Sequence, residues 1–309
     1  RQRKQLTSLL RLLIVAGFVA SIIALALYAM ESETANRLLN YLVPLGYPSG
    51  IVLRYIASTD TLRAIGTSAD PNILGGTLVL IIPLALSQLF GEGSLFRRWQ
   101  VVLMVAVMGL TMALTFSRGS WLGVVAAALF MSGLRYRKLL IILVVLGIAL
   151  YFLPAGDLIV GRLESGIQVE DQAAAMRLGE YKDALHLISL YPWFGVGFGE
   201  APSIDLYVAA SSIYLLIAEE MGLVGLGAFL IIMVVLFTHA FTSLTRIAEP
   251  SLRTIQLGAL AGVLGALTAG FFDHHFFNLD FPHTVALFWL MVGLVMVATR
   301  LGTQTNQEG

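Results

Sequence analysis

The chain has 309 residues, 58% of them apolar, and its nineteen basic and nineteen acidic side chains cancel to a formal charge of zero. A mean hydropathy of +0.84 excludes an ordinary soluble protein, and the absence of cysteine excludes disulfides, a thiolate metal site and a thiol nucleophile. No heptad array, low-complexity tract, internal repeat or nucleic-acid motif is visible, so nucleic acid is not an expected partner.

Eight apolar stretches follow one another along the chain: 12–30, 73–90, 101–116, 121–134, 139–153, 223–241, 255–272 and 284–298. Most have about 14–20 residues, which at about 1.5 Å per residue suits a hydrocarbon core of roughly 30 Å with some help from the flanks. One such stretch alone is compatible with a buried core helix, but eight in series are not. The expected fold is therefore all-α, a polytopic helical membrane bundle of about eight transmembrane helices that forms a single domain over 1–309. Arg rather than Met stands first, and an upstream segment, with or without further helices, is expected. Arg1, Arg3 and Lys4 are like the charged start of a signal peptide. No small-residue cleavage site followed by a soluble domain comes after them, and 12–30 reads as a retained helix.

Alternating the connections puts the N-terminus, 91–100, 135–138, 242–253 and the C-terminus on one face. That face holds twelve of the nineteen Lys and Arg residues against three acids, Glu92, Glu249 and Glu308. An excess of Lys and Arg marks the cytoplasmic side, so both termini are expected there and 31–72, 154–222 and 273–283 are expected outside. The outer face carries sixteen acids and seven basic residues. In its first loop, 35–42 and 50–56 have apolar residues at helical spacing around a breaker cluster of Pro44, Gly46 and Pro48, and they read as short amphipathic segments at the interface. The large loop 154–222 contains an amphipathic helix over 173–190, with Leu178, Tyr181, Leu185 and Ile188 on one stripe. Glycine and proline punctuation follows it. A loop of this length without structure would be unusual, so a re-entrant or interface-docked lid is expected.

Three outer segments carry candidate chemistry. Arg118 ends a membrane stretch between Ser117 and Gly119-Ser120; it either snorkels to lipid phosphate or binds an anion with donors from Ser117, Ser120 and the helix start. Arg177 and Tyr181 are one helical turn apart and share a face, with Lys182 about 100° further round. Local pairing of Arg177 and Lys182 with Glu180 and Asp183 is the alternative there. The third segment is Asp273-His274-His275 among phenylalanines, with Asn278, Asp280 and His283 nearby. It reads as an aromatic interfacial belt with hydrogen-bonded histidines or as a carboxylate–imidazole pair for acid–base work. Adjacent histidines diverge on a helix and no H-x-x-x-H spacing occurs, so no metal site is assigned. Glu219 and Glu220 precede Gly222 and are candidates for lining an outer cavity. No row of acids runs through the helix centres, as an ion path would need.

Several of these segments resemble, in order, the O-antigen ligase/O-antigen polymerase superfamily. They are Gly66-Thr67-Ser68-Ala69-Asp70-Pro71-Asn72, then Phe116-Ser117-Arg118-Gly119, Arg177, Pro192-Trp193-Phe194-Gly195-Val196-Gly197-Phe198-Gly199, Tyr214-Leu215 and Glu219-Glu220-Met221-Gly222-Leu223-Val224-Gly225. The resemblance implies a GT-C-like multi-helix fold in a bacterial cytoplasmic (inner) membrane, with a large extracytoplasmic loop over a cavity open to the outer leaflet. It implies a membrane glycosyltransferase that moves or polymerises a glycan from a polyprenyl diphosphate donor, such as undecaprenyl diphosphate, onto an acceptor hydroxyl. The acceptor is a lipid, as in lipopolysaccharide, or another glycan. No cofactor is implied.

By the same resemblance Arg118 and Arg177 bind the substrate diphosphate, with Ser117 and Lys182 beside them; planar guanidinium forks suit phosphate and stabilise the charge of a leaving diphosphate. Ser211 and Ser212 stand where ligases carry a histidine taken as base or orienter. Serine is a poor proton acceptor at neutral pH, so Asp273, His274 or Glu219 is expected to take that role, with Glu220 a further candidate. The superfamily also contains proteins described as inorganic-carbon transporters, and a carrier of a small anion or of a lipid-linked glycan is the alternative.

With no native cysteine, a single introduced thiol reports the orientation. Ser165→Cys in the large loop is expected to react with an impermeant thiol reagent in intact cells, and protection there would invert the topology.

Overall fold

A computed structural model of the protein describes residues 2–56, 60–152, 161, 172–198 and 210–304. Ser165, Gly199 and much of the large loop lie outside the described residues. Among the described residues there are ten α-helices: α1 (Gln2–Ala29), α2 (Ser32–Asn40), α3 (Pro71–Phe90), α4 (Arg98–Leu114), α5 (Arg118–Leu134), α6 (Lys138–Phe152), α7 (Gln172–Leu190), α8 (Ile213–Leu244), α9 (Pro250–Ala269) and α10 (Pro282–Gln304). A two-residue hairpin, Tyr55–Ile56 against Thr61–Leu62, adds the strand pairing seen among the described residues. The all-α polytopic bundle is as expected, and each apolar stretch falls within or overlaps one helix.

Among the described residues, five helices are long and apolar enough to cross a membrane: α1, α3, α8, α9 and α10. The other three, α4, α5 and α6, have 17, 17 and 15 residues. At about 1.5 Å per residue they cover roughly 23–26 Å, which a bilayer accommodates by thinning and by snorkelling of flanking side chains. Outward-facing side chains of α6 such as Ile141 and Val145 are exposed, as suits a lipid-facing surface.

The centre is built from α3 and α9, which are buried over most of their length, with α9 packed on α3, α5 and α10. Apolar burial supplies little drive between helices in lipid, so close backbone approach does this work. A methyl on Gly262 of α9 would fall 2.8 Å from the Leu80 carbonyl oxygen of α3. Between α5 and α9, Gly123 and Gly265 face each other so closely that a methyl on either would meet the other's carbonyl at 2.6–2.8 Å.

At one end of the bundle gather residues 30–56 and 60–70, the α4–α5 turn, α7, the start of α8 and the α9–α10 turn. Two expectations change there. Residues 50–56 are not helical, because Asn36 Oδ1 accepts from the Val52 and Leu53 amides at 3.1 and 3.3 Å and Asn40 bonds both backbone groups of Gly50. With their amides tied to α2, these residues run extended into the hairpin. Helix α8 also begins ten residues before the predicted stretch and breaks at Gly222, whose φ of 69° and ψ of −176° suit glycine.

That break explains two of the glycine-bearing motifs together. The backbone of 192–197 docks into it: Val196 and Gly197 amides donate to the Glu219 and Glu220 carbonyls at 2.8 and 2.9 Å, and the Leu223 amide donates to the Pro192 carbonyl at 2.7 Å. A methyl on Gly222 would sit 2.2 Å from the Trp193 carbonyl oxygen, whereas Gly227, one turn further along α8, faces open space. Gly222→Ala is expected to cost at least the roughly 1–3 kcal/mol of such a backbone conformation and to lower the thermal midpoint in micelles. Gly227→Ala, a helix-favouring change at about 1 kcal/mol, is expected to leave the midpoint unchanged or raise it.

Candidate functional site

At this loop end lies a cavity of about 430 Å³. Four elements build it. The first is the extended run before the hairpin, which carries Arg54 into the lining. The Arg54 carbonyl accepts from the Arg63 amide at 2.9 Å. Arg63 in turn donates to the Thr115 carbonyl at 2.8 Å and to Asn72 Oδ1 at 2.9 Å, so the hairpin is seated on the α4–α5 turn and the start of α3. The second element is that start: Asp70 caps α3 through the Asn72 amide at 2.7 Å, with Pro71 in the first turn.

The third element is α7. Its Tyr181 hydroxyl lies 2.8 Å from the Phe271 carbonyl oxygen and 3.1 Å from that of Ser211, and one turn earlier Arg177 reaches the cavity. Glu180 accepts from the Ser211 amide at 3.2 Å and from its hydroxyl. Of the stripe predicted for α7, Tyr181 meets this site, whereas Leu178 and Leu185 are exposed and the buried side chains are Ala184 and Leu187; burial pushes the Tyr181 phenol up.

The fourth element is the α9–α10 turn. His275 is 1% exposed, and its Nδ1 stands 2.9 Å from Asp273 Oδ1. The contact is short without being an aligned N–H···O bond, and Nε2 has no hydrogen-bond partner among the described residues. The ring rests on α3 so closely that a methyl on Gly76 would fall 1.8 Å from Nε2. Burial favours the neutral Asp273 carboxyl, but the His275 contact, then His274 and Arg177, outweigh it and hold the group well below the usual carboxylate range.

His274 is placed differently. Its amide donates to Asp273 Oδ1 at 2.9 Å, and its Nδ1 lies 3.0 Å from Asn278 Nδ2. Asn278 Oδ1 already accepts from the Asp280 amide at 2.8 Å, which fixes the carboxamide so that its NH₂ faces the ring. Nδ1 must then accept, and the proton of the neutral ring sits on Nε2. Burial depresses the imidazole, opposed by Asp273 and reinforced by His275. His274 is thus set up as a neutral hydrogen-bond donor.

Of the residues singled out in the sequence, Arg177, Asp273 and His274 come together in the cavity lining, with Ser211 beside them. Arg118, Ser117, Lys182 and Glu219 are not among the described lining residues. Ser117 is buried and its hydroxyl lies 3.0 Å from that of Ser120. That pair seats α5 against Gly75, where a methyl would meet Ser120 Oγ at 2.5 Å. Arg118 opens α5 next to the α9–α10 turn, since a methyl on Gly119 would lie 3.1 Å from Phe272 Cβ. Lys182 is exposed on α7, and Glu219 lies in the first segment of α8. Arg54 was not picked out, and Asn72 and Asn278 were quoted only within their segments, without a role. For Arg54 the available signal was its place among the seven basic residues of an otherwise acidic face.

Residues 103–230 match the family model described as O-antigen ligase. Over that span the chain is similar to the O-antigen ligase family. No curated protein matches the chain. The O-antigen ligase span runs from α4 to just beyond the break in α8, so it holds Arg118, Arg177, Ser211 and the docked glycine segments. Arg54, from the first loop, and the Asp273–Asn278 turn complete the cavity from outside the span.

The tautomer assignment has a measurable consequence. Asn278→Asp replaces the donated NH₂ with a carboxylate, which favours a proton on Nδ1, and the His274 pKa is expected to rise, read by imidazole nitrogen shifts in labelled protein. In the native chain the folded value lies below the ordinary one of about 6.5. The unfolded state therefore binds more protons as pH falls from about 6.5 through the folded value, and stability is lost in that window. The Asn278→Asp protein is expected to lose less stability there.

Proposed function

We propose that the chain is a membrane glycosyltransferase of the O-antigen ligase/polymerase type, and that this cavity holds the diphosphate of a polyprenyl-linked glycan. The observation that supports it most is the meeting of Arg54 and Arg177 with Asp273 and His274 in one cavity at the loop end of the bundle. In this reading the loop end faces outward from a bacterial cytoplasmic membrane, and the bilayer delivers the donor laterally. Arg177 and Arg54 grip the diphosphate, with Arg118 approaching from the start of α5; Ser117 positions Arg118, and Lys182 adds to the positive field from α7.

The acceptor hydroxyl oxygen attacks the anomeric carbon, the bond from that carbon to the diphosphate oxygen breaks, and the electron pair leaves with the diphosphate. The arginines neutralise that growing charge, where planar forks are worth most. Asp273 takes the acceptor proton. His274 donates from Nε2 to a substrate oxygen. Ser211, whose hydroxyl is given to Glu180, holds α7 to the start of α8. Glu219 serves there as backbone anchor for 192–197.

The alternative of a carrier would be favoured by a helix broken around an anion pocket. The break in α8 is instead filled by the backbone of 192–197, and this favours the enzyme.

The test is glycan transfer by membranes or purified protein supplied with a polyprenyl diphosphate-linked glycan. Arg177→Lys and Arg54→Lys keep the charge and lose the fork, and turnover is expected to fall by about 10²–10³ for a contact made to the leaving group. Asp273→Asn is expected to be at least as damaging. Normal transfer by Arg177→Ala and Arg118→Ala proteins at wild-type abundance would remove the enzymatic reading.

A further inference from the structure

The opposite end of the bundle holds a second concavity, of about 620 Å³, between the end of α3, the start of α4 and the α5–α6 turn. Four cations line it, Arg98, Arg135, Arg137 and Lys138, and no acid is among its described lining residues. Its floor is aromatic, with the Phe90 and Tyr136 rings 6.1 Å apart. Its wall runs out at Ile142 onto the lipid-facing side of α6.

Basic residues at a membrane rim are common, so convergence and lack of internal pairing are what matter here. Elsewhere at this end Arg3 pairs with Glu249 at 2.6 Å and Arg253 donates to the Ile247 carbonyl. Among the described residues, none of the four lining cations enters an ion pair. Like charges gathered in one concavity repel, and Arg98 and Lys138 also open α4 and α6, so the positive ends of two helix dipoles point the same way. Trp99, beside Arg98, is 62% exposed, which suits a side chain at headgroup depth.

We infer that this concavity binds the phosphate headgroup of an anionic phospholipid, whose acyl chains lie along the apolar face of α6. The cations take the phosphate, and the aromatic floor and Ile142 take the glycerol and first methylenes. A free phosphate would leave that apolar wall uncovered, which is why an amphiphile is the better match. The site is separate from the transfer chemistry and does not rest on it.

Native mass spectrometry of the detergent-solubilised protein, titrated with phosphatidylglycerol or with phosphatidylcholine, tests this. Retention of phosphatidylglycerol over phosphatidylcholine is expected. Arg135→Gln with Arg137→Gln is expected to weaken it by about 10–30-fold, at roughly fivefold per cation near the headgroups. Lys4→Gln with Arg300→Gln removes two cations from the same end and is expected to leave it unchanged. If the first pair fails to fold, Arg98→Gln alone, at an exposed position, reads the same loss at about fivefold. Equal retention of both lipids, equal loss in the two double variants, or displacement of the lipid by millimolar inorganic phosphate would each overturn the assignment.

Discussion

The seating of His275 on α3 is the contact on which the site depends. Gly76 gives the imidazole room, and the buried ring fixes Asp273 at 2.9 Å. Asp273 then orients the His274 backbone, and the turn closes through Asn278. The Asp273 and Asn278 hydrogen bonds to His274 hold the turn from both sides, while His275 is held by packing and by its charge contact with Asp273. The same turn receives α7 through Tyr181 at the Phe271 carbonyl and faces α5 at Gly119. Three helices, α3, α5 and α7, are thereby registered against one short connection, and Arg177 is brought to the side of Asp273.

That registration requires helices that approach to backbone distance, which lipid does not itself promote. The glycine contacts between α3, α5 and α9 supply it through van der Waals packing. They also fix how far each helix protrudes at the loop end. With Gly123 and Gly265 locked together, the start of α5 and the end of α9 cannot slide independently, so Arg118 and the Asp273 turn keep a constant relation. The docked segment 192–197 does the corresponding work for α7 and α8, using backbone bonds where side-chain packing would be too soft to hold a loop.

Much of this was legible in the sequence. Apolar stretches long enough to cross a bilayer are conspicuous because their signal is composition, which tertiary context does not reverse. Arg177 and Tyr181 were placed on one face by helical periodicity, and the structure puts that face at the cavity. Three things were not legible. The helical spacing over 50–56 was overruled by Asn36 and Asn40, two carboxamides whose partners are more than nine residues away in sequence. The start of α8 was hidden by Glu219 and Glu220, which lower local hydropathy although the helix continues through them. Arg54 gave only a weak signal, because an arginine in a polar loop looks solvated until the loop is folded back over the helix starts. The role of Asn278 depends on which way its amide faces, and that is decided by the Asp280 backbone rather than by any pattern of residue types.

The two ends of the bundle use charge in different ways, and the difference follows from what each must do. At the loop end Arg54 and Arg177 share their cavity with an ionised Asp273 and a neutral His274, so positive and negative groups sit together at a cost in mutual neutralisation. A site that only retained an anion would gain by discarding the carboxylate. Keeping it makes sense where an anion must be stabilised as it leaves while a proton is removed from its replacement, since one event needs cations and the other a base. At the basic end the described lining residues include four cations and no acid, so positive charge predominates there. Such a field can hold an anion but has nothing with which to move a proton, so retention of a headgroup, rather than chemistry, is the function its composition permits.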